Sequence, residues 1–267
     1  MDFKVKDSYN IDDLLNIMKL LRSENGCPWD REQTHESIRK NFIEETYEVC
    51  EAIDESNPEH LKEELGEVLL QIVFHSQMED EKSTFSFSDV INDICLKLII
   101  RHPHVFSDTI VASVDDVLSN WADIKQQTKG QTTAAQTLLS VPKQLPALMR
   151  ADKVQGRAKK ANKEFGYTST STVLGDLKSE VCELEIAINN NDVQNISEEI
   201  GDILFSAVNV ARYYNMDAEE LLTVSCNKFI KRFSQSEKLA QEKNIDFKTA
   251  DFNCLDALWK EVKKSMN

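Results

Sequence analysis

The chain has 267 residues, 41% of them hydrophobic and 29% charged, which is enough apolar material for two ordinary cores. Its 46 acidic side chains outnumber 31 basic ones, and the formal charge of −15 repels phosphate backbones and argues against a nucleic-acid polymer as partner. Seven glycines and five prolines are too few for the turns of a many-stranded sheet, so the composition predicts an all-α protein.

The opening "MDFKVKDSYNIDDLL" contains no apolar leader, and no run reaches transmembrane length, which predicts a cytoplasmic protein without membrane contact. "IDDLLNIMKLLRS" reads as a lead helix. "EETYEVCEAI" then carries Glu45 and Glu48, and "EELGEVLLQIV" carries Glu64 and Glu67, with "DESNPEH" as the turn between two helices. "KLIIRHPHVF" sets Lys97 and Arg101 four apart, and "WADIK" begins at Trp121. Residues 126–140 contain "QQTKGQTTAAQT", which has no apolar period and reads as a mobile polar linker.

The same order returns after the linker. "LLSVPKQLPALMRADKVQGRAKKA" supplies a lead helix, "SEVCELEIAI" carries Glu180 and Glu183, and "SEEIGDILFSAVNVAR" carries Glu199 and Asp202. "KFIKRFS" repeats the basic pair as Lys228 and Arg232, and "WKEVK" repeats the tryptophan as Trp259. Glu45 and Glu64 are 19 residues apart, as are Glu180 and Glu199. One matching interval is easy to obtain by chance; an ordered series of four is not. The expected organisation is two tandem homologous helical-bundle modules, 1–125 and 141–267, on either side of the linker.

In the stretch from Ser197 to Arg212, Ile200, Ile203, Leu204, Ala207, Val208 and Ala211 follow the template of an inward-facing helical stripe. Glu199, Asp202, Ser206 and Asn209 form a polar stripe beside it. Gly201, between the two acids, is expected to let a neighbouring helix approach closely, at a helix-propensity cost of about 1 kcal/mol relative to Ala. The six cysteines lack C-x-x-C spacing and are expected to be buried, reduced thiols.

Side chains three apart share a helix face, so the two acidic pairs of a module converge if their helices run antiparallel. Four carboxylates at close range raise one another's pKa and call for a cation. All five histidines, His35, His60, His75, His102 and His104, lie in the first half, which leaves the second cluster with oxygen ligands alone. That donor set selects Mg²⁺, with Mn²⁺ as a substitute. Lys228 and Arg232, one turn apart, suit phosphate recognition. Walker A, G-x-G-x-x-G, G-x-S-x-G and H-E-x-x-H motifs are missing, and metal-assisted attack by water fits the remaining residues. A lone E-x-x-E is more often a solvated face; its duplication favours a site. A di-iron centre calls for two E-x-x-H motifs, and only Glu32 with His35 supplies one.

"NGCPWDREQTHESIRKNFIEETYEVCEAI", "EELGEVLLQIVFHSQM", "RHPHVF", "LPALMRADKVQGRA", "SEEIGDILFSAVNVARYYNMDAEELL" and "KFIKRF" resemble the MazG-type nucleoside triphosphate pyrophosphohydrolases of the all-α NTP pyrophosphatase superfamily. The resemblance covers nearly the whole chain. It implies Mg²⁺-dependent hydrolysis of a nucleoside triphosphate to the monophosphate and pyrophosphate, with water attacking the α-phosphorus, and a broad or house-cleaning nucleotide range. It also implies a homodimer, metal ligation by Glu180, Glu183, Glu199 and Asp202, phosphate binding by Lys228 and Arg232, and Trp259 near the nucleotide. The family motif ends in E-x-x-D, and Glu67 stands where aspartate is usual. The main active site is therefore expected in the second module. Glu45, Glu48, Glu64, Glu67, Lys97 and Arg101 then form a weaker second site. The competing reading is a non-catalytic nucleotide-sensing or interaction protein with a decayed site.

Overall fold

The computed structural model describes residues 3–107, 113, 117, 124 and 132–266. Every regular element among them is helical, and the chain divides into two units, Met1–Lys125 and Gln126–Asn267. Trp121 lies outside the described residues.

In the first unit, α1 (Ile11–Leu21), α2 (Pro28–Glu32), α3 (His35–Asp54), α4 (Pro58–Asp80), α5 (Phe87–Arg101) and α6 (Pro103–Phe106) follow in order. Reciprocal side-chain caps start three of them, at Asn10 with Asp13, Thr34 with Ser37 and Ser86 with Asp89. Helix α4 begins with Pro58, whose missing N–H costs nothing there, and the Asn57 side chain accepts from the His60 amide at 3.3 Å. Ser56 turns the chain from α3 into α4 in the left-handed region, at φ 52°. Met18, Ile38, Val73, Phe74 and Met78 form the buried core. Arg22 lies 5.3 Å from the Phe74 ring centre and grips Glu81 through two nitrogens, at 2.8 and 2.9 Å.

The second unit contains α7 (Ala134–Leu139), α8 (Ala147–Ala161), a 3₁₀ turn at Lys163–Phe165, α9 (Thr170–Asn189), α10 (Val193–Tyr213), α11 (Ala218–Glu242) and α12 (Phe252–Ser265). Helix α7 lies inside residues 126–140, so the end of the stretch expected to be a polar linker is helical. A capping box of Thr133 and Gln136 starts it, and the Arg157 guanidinium donates to the Thr137 carbonyl and, at 2.7 Å, to Ser140 Oγ. A helix of six residues is too short to display an apolar period, and hydrogen bonds at its two ends hold it.

The internal repeat is structural as well as sequential. Ile38 and Val173, Ala52 and Ala187, Glu64 and Glu199, Gln71 and Ser206, Val73 and Val208, and Ser76 and Ala211 are all buried, each pair 135 positions apart. Asn191, with φ 53°, turns α9 into α10 as Ser56 turns α3 into α4.

Three expectations are corrected. In α10, Val208 and Ala211 are buried, whereas Ile200 is 48% and Leu204 53% exposed, and Ala207 is exposed too. The helix turns Glu199 and Ser206 inward instead, because packing against α9 brings the carboxylate edges together and swings the apolar edge outward. Gly201 has no neighbour within 4 Å of the position its Cβ would take, so no close approach within the chain explains it. The cysteines are unpaired, but Cys50, Cys95, Cys182 and Cys226 are exposed and Cys27 and Cys254 half-buried, since they sit on helix faces away from the small cores.

Candidate metal centres

Each unit gathers three carboxylates between the two of its helices that pack most extensively against each other. In the second unit, one oxygen each from Glu180 on α9 and Glu199 and Asp202 on α10 lie within 4.8 Å of one another. In the first unit the trio is Glu45 and Glu48 on α3 with Glu64 on α4. The predicted quartets are thus brought together as far as three members. Glu183, outside the second trio, accepts from Ser179 Oγ at 3.1 Å, yet its charge acts on both Glu180 and Glu199. Glu67 is exposed and outside the first trio, and its charge still acts on Glu45.

These groups are electrostatically uncomfortable without a counter-charge. Burial, followed by the neighbouring Glu183 and Asp202 charges, pushes Glu180 and Glu199 above the usual carboxylate range. Burial raises Glu45 and Glu64 as well, with Glu48 the next cause for both. Glu64 is only 7% exposed, and its Oε2 is buried without a hydrogen-bond partner. Clustered hard oxygens with an orphaned acceptor among them suit a hard divalent cation.

Beside the second trio, Tyr167 donates to Asp176 Oδ2 at 2.8 Å. Burial, then that bond, keep its hydroxyl protonated, its pKa pushed up to about 12. On α11, Lys228 is exposed and Arg232 half-buried, with the Arg232 Nε buried and unpartnered. Neither is joined to the acidic trio by an ion pair among the described residues. Trp259 packs its ring 5.2 Å from that of Phe229, which in turn stacks with Phe233. In the first unit, Lys97 approaches Asp93 at 3.9 Å and Arg101 ends α5, half-buried.

Known proteins bear on this arrangement. The MazG nucleotide pyrophosphohydrolase domain matches residues 33–106 and again 168–236, together more than half of the chain. The chain belongs to the MazG family. Both MazG segments contain one α-helical carboxylate pair followed by a second, so the family repeat coincides with the two trios. Relatives include the nucleoside triphosphate pyrophosphohydrolase of Escherichia coli (strain K12), 38% identical over 95% of this chain and 97% of its own length. The "Nucleoside triphosphate pyrophosphohydrolase/pyrophosphatase MazG" of Thermotoga maritima is 40% identical, over 94% of this chain and 95% of its own. Protein YabN of Bacillus subtilis (strain 168) is 42% identical over 94% of the chain, which spans about half (51%) of that relative.

Two features were missed from sequence. His60, four residues before Glu64 on α4, meets that carboxylate at 3.3 Å and Glu55 at 3.2 Å, and its pKa is raised, first by the Glu55 hydrogen bond. The H-x-x-x-E spacing was available as a signal. The His35 and His75 rings stack with their Nδ1 atoms 2.7 Å apart, and His35 Nε2 reaches Glu79 at 2.6 Å, tying α3 to α4 at the far end from the turn. In the second unit Thr170 and Tyr214 make the equivalent tie, at 3.2 Å.

Proposed function

We propose that this MazG chain is a Mg²⁺-dependent nucleoside triphosphate pyrophosphohydrolase whose main active site is the second-unit cluster. The observation that carries the reading is the trio of Glu180, Glu199 and Asp202 in a chain that matches the family along almost all of two named pyrophosphohydrolases. The reaction is NTP plus water to NMP plus pyrophosphate. Mg²⁺, or Mn²⁺ in its place, would when bound supply neutralisation of phosphoryl charge and a lowered pKa for the attacking water. Glu180, Glu183, Glu199 and Asp202 would hold the ion, and one of these carboxylates would take the proton released as water attacks the α-phosphorus. Lys228 and Arg232 bind the leaving pyrophosphate oxygens, Arg232 through the fork that contains its unpartnered Nε. Trp259 lines the nucleotide, and base selection is broad.

The first-unit cluster, with Lys97 and Arg101, is the weaker second site, because Glu67 stands outside its trio where Asp202 belongs to the other. Exposed Ile200 and Leu204, with Leu65 and Leu69 at the corresponding positions of α4, supply an apolar edge that a second copy of the chain covers in a homodimer. A cytoplasmic location accords with six unpaired cysteines, and no described helix is long and apolar enough to cross a membrane. Incubation with a mixture of triphosphates and Mg²⁺ tests the function. Glu199→Ala and Asp202→Ala abolish pyrophosphate release with helicity retained, and Glu64→Ala has a much smaller effect. Unchanged turnover in either of the first two variants removes the assignment.

A further inference from the structure

A pocket of the second unit lies along the helix pair that carries the carboxylate trio. Helices α9 and α10 run antiparallel, tied at one end by Thr170 and Tyr214, and polar groups continue from the trio toward that end. Asp176 stands one turn before Glu180 on α9 and accepts from the Tyr167 hydroxyl at 2.8 Å. Asn209 follows Asp202 on α10, roughly 10 Å further along the axis, and its Nδ2 donates to the same hydroxyl at 3.4 Å. Tyr167 and Asn209 form one wall of the pocket, and Lys159, Phe165, Arg212 and Tyr213 complete it.

Two glycines make room for its two cations. A Cβ on Gly156 would stand 2.8 Å from Arg212 Nη1, and one on Gly166 would stand 2.8 Å from Lys159 Cδ. Both separations are shorter than Cβ atoms tolerate, so a side chain at either place displaces a cation. In the first unit the positions 135 earlier than Asn209 and Tyr213 are Phe74 and Met78, which are buried in the core. The pocket is thus a feature of the unit that contains the Glu180 cluster.

Lys159 and Arg212 offer N–H donors and no acceptor. Among the described residues Lys159 makes no ion pair, and Arg212 has a buried Nε without a hydrogen-bond partner and an Nη1 that is 3.7 Å from Asp152, too far for a hydrogen bond. Asp152 and Asp176 balance the two positive charges. The pocket therefore presents donors without a net positive charge, which suits a neutral carbonyl better than an anion. It encloses about 20 Å³, room for one or two oxygen-sized atoms, so a ligand inserts an edge and keeps its body outside. Phe165, at the rim and 70% exposed, gives that body a flat apolar face. A flat ring with carbonyl acceptors along one edge is a nucleobase.

We infer that this pocket takes the O6 and N7 edge of a purine, so that within a broad range of triphosphates the chain favours the 6-keto bases guanine and hypoxanthine over adenine. Arg212 and Lys159 determine the preference, because they donate to O6 and N7, whereas adenine turns its N6 amino donor toward them. Gly156 and Gly166 are positioning residues that leave the two cations their places. Phe165 stacks on either kind of purine and does not discriminate. The inference rests on the reading of the Glu180 cluster as the triphosphate site and adds a base preference to it.

Calorimetric titration of the full-length chain in Mg²⁺ with the α,β-methylene analogues of GTP, ITP and ATP reads binding without turnover. The wild type binds the GTP and ITP analogues alike, each at least about fivefold more tightly than the ATP analogue, the lower end of what one bidentate donor pair gives. Arg212→Met brings the first two affinities down to the third and leaves the third unchanged. Gly156→Ala keeps the charge, moves the guanidinium and narrows the same ratio, and it decides the matter if Arg212→Met fails to fold. An ATP analogue bound as tightly as the others by the wild type, or a ratio that survives the deciding variant, overturns the inference. Pyrophosphate release from GTP and ATP without a difference in affinity sinks the base preference alone, and a preference in binding with no pyrophosphate released sinks only the catalytic reading. Failure to bind any of the three analogues removes the triphosphate site and the inference with it.

Discussion

Replacing Glu199 by glutamine should make the second unit insensitive to Mg²⁺ without unfolding it. The side chain is 8% exposed and one of three whose oxygens lie within 4.8 Å, so the isosteric amide keeps the volume and removes one of three converging charges. Mg²⁺ at a hundred times its dissociation constant stabilises a site by about 2.7 kcal/mol. For a unit of about 140 residues, at roughly 3–4 °C per kcal/mol, this raises the melting temperature by about 8–11 °C. If the lost ligand weakens binding about a hundredfold, the same Mg²⁺ concentration leaves only about 0.4 kcal/mol, a shift of about 1–2 °C. Without metal the order reverses. Glu199 is pushed above the usual carboxylate range by burial, then by Glu183, Asp202 and Glu180, so its ionisation opposes folding and the variant melts no lower than the wild type near pH 7. Differential scanning calorimetry of both proteins with and without Mg²⁺ measures the four values. An equal Mg²⁺ shift in the variant, or its collapse in the absence of metal, refutes the reasoning.

The first unit's stability should depend on pH through its inter-helix tie. Burial, then the His35 ring, hold His75 below its ordinary 6.5, so its contribution is present above that pH and lost as pH falls below it. Glu79, held down to about 2 first by Lys82, then by Thr84 and His35, adds a second loss as pH falls from 4.5. Urea midpoints from pH 8 to 4 should decline in those two windows, and His75→Phe should flatten the upper one. Leu204→Asp, at a position 53% exposed, should convert the proposed homodimer to monomer in light scattering while leaving circular dichroism unchanged; a variant that stays dimeric removes α10 from the proposed interface. Lys228→Ala should raise KM for the triphosphate with Mg²⁺ affinity preserved, and an unchanged KM would detach Lys228 from substrate.

Much of the fold is legible because helix signals are local. Asn57 followed by Pro58 marks the start of α4, and the acidic pairs give the repeat that Ala52 with Ala187 and Val73 with Val208 fix in three dimensions. The facing of α10 is not legible in this way. Hydrophobic periodicity reports that Ile200 and Leu204 share an edge, but an edge that meets another chain has the same pattern as one that meets the core. The six-residue helix α7 escaped for a different reason: it is too short to show a period, and what holds it is Arg157 and a capping box. His60 was visible as a letter but not as a partner, because its meaning depends on Glu55, which reaches it only after the chain has turned at Ser56.

The most direct measurement of the central claim is hydrolysis of a nucleoside triphosphate in ¹⁸O-enriched water with Mg²⁺, the products being analysed by mass spectrometry. The account predicts nucleoside monophosphate carrying one ¹⁸O together with unlabelled pyrophosphate, with both products lost in Asp202→Ala. Label in pyrophosphate, or release of orthophosphate and a nucleoside diphosphate, would contradict it.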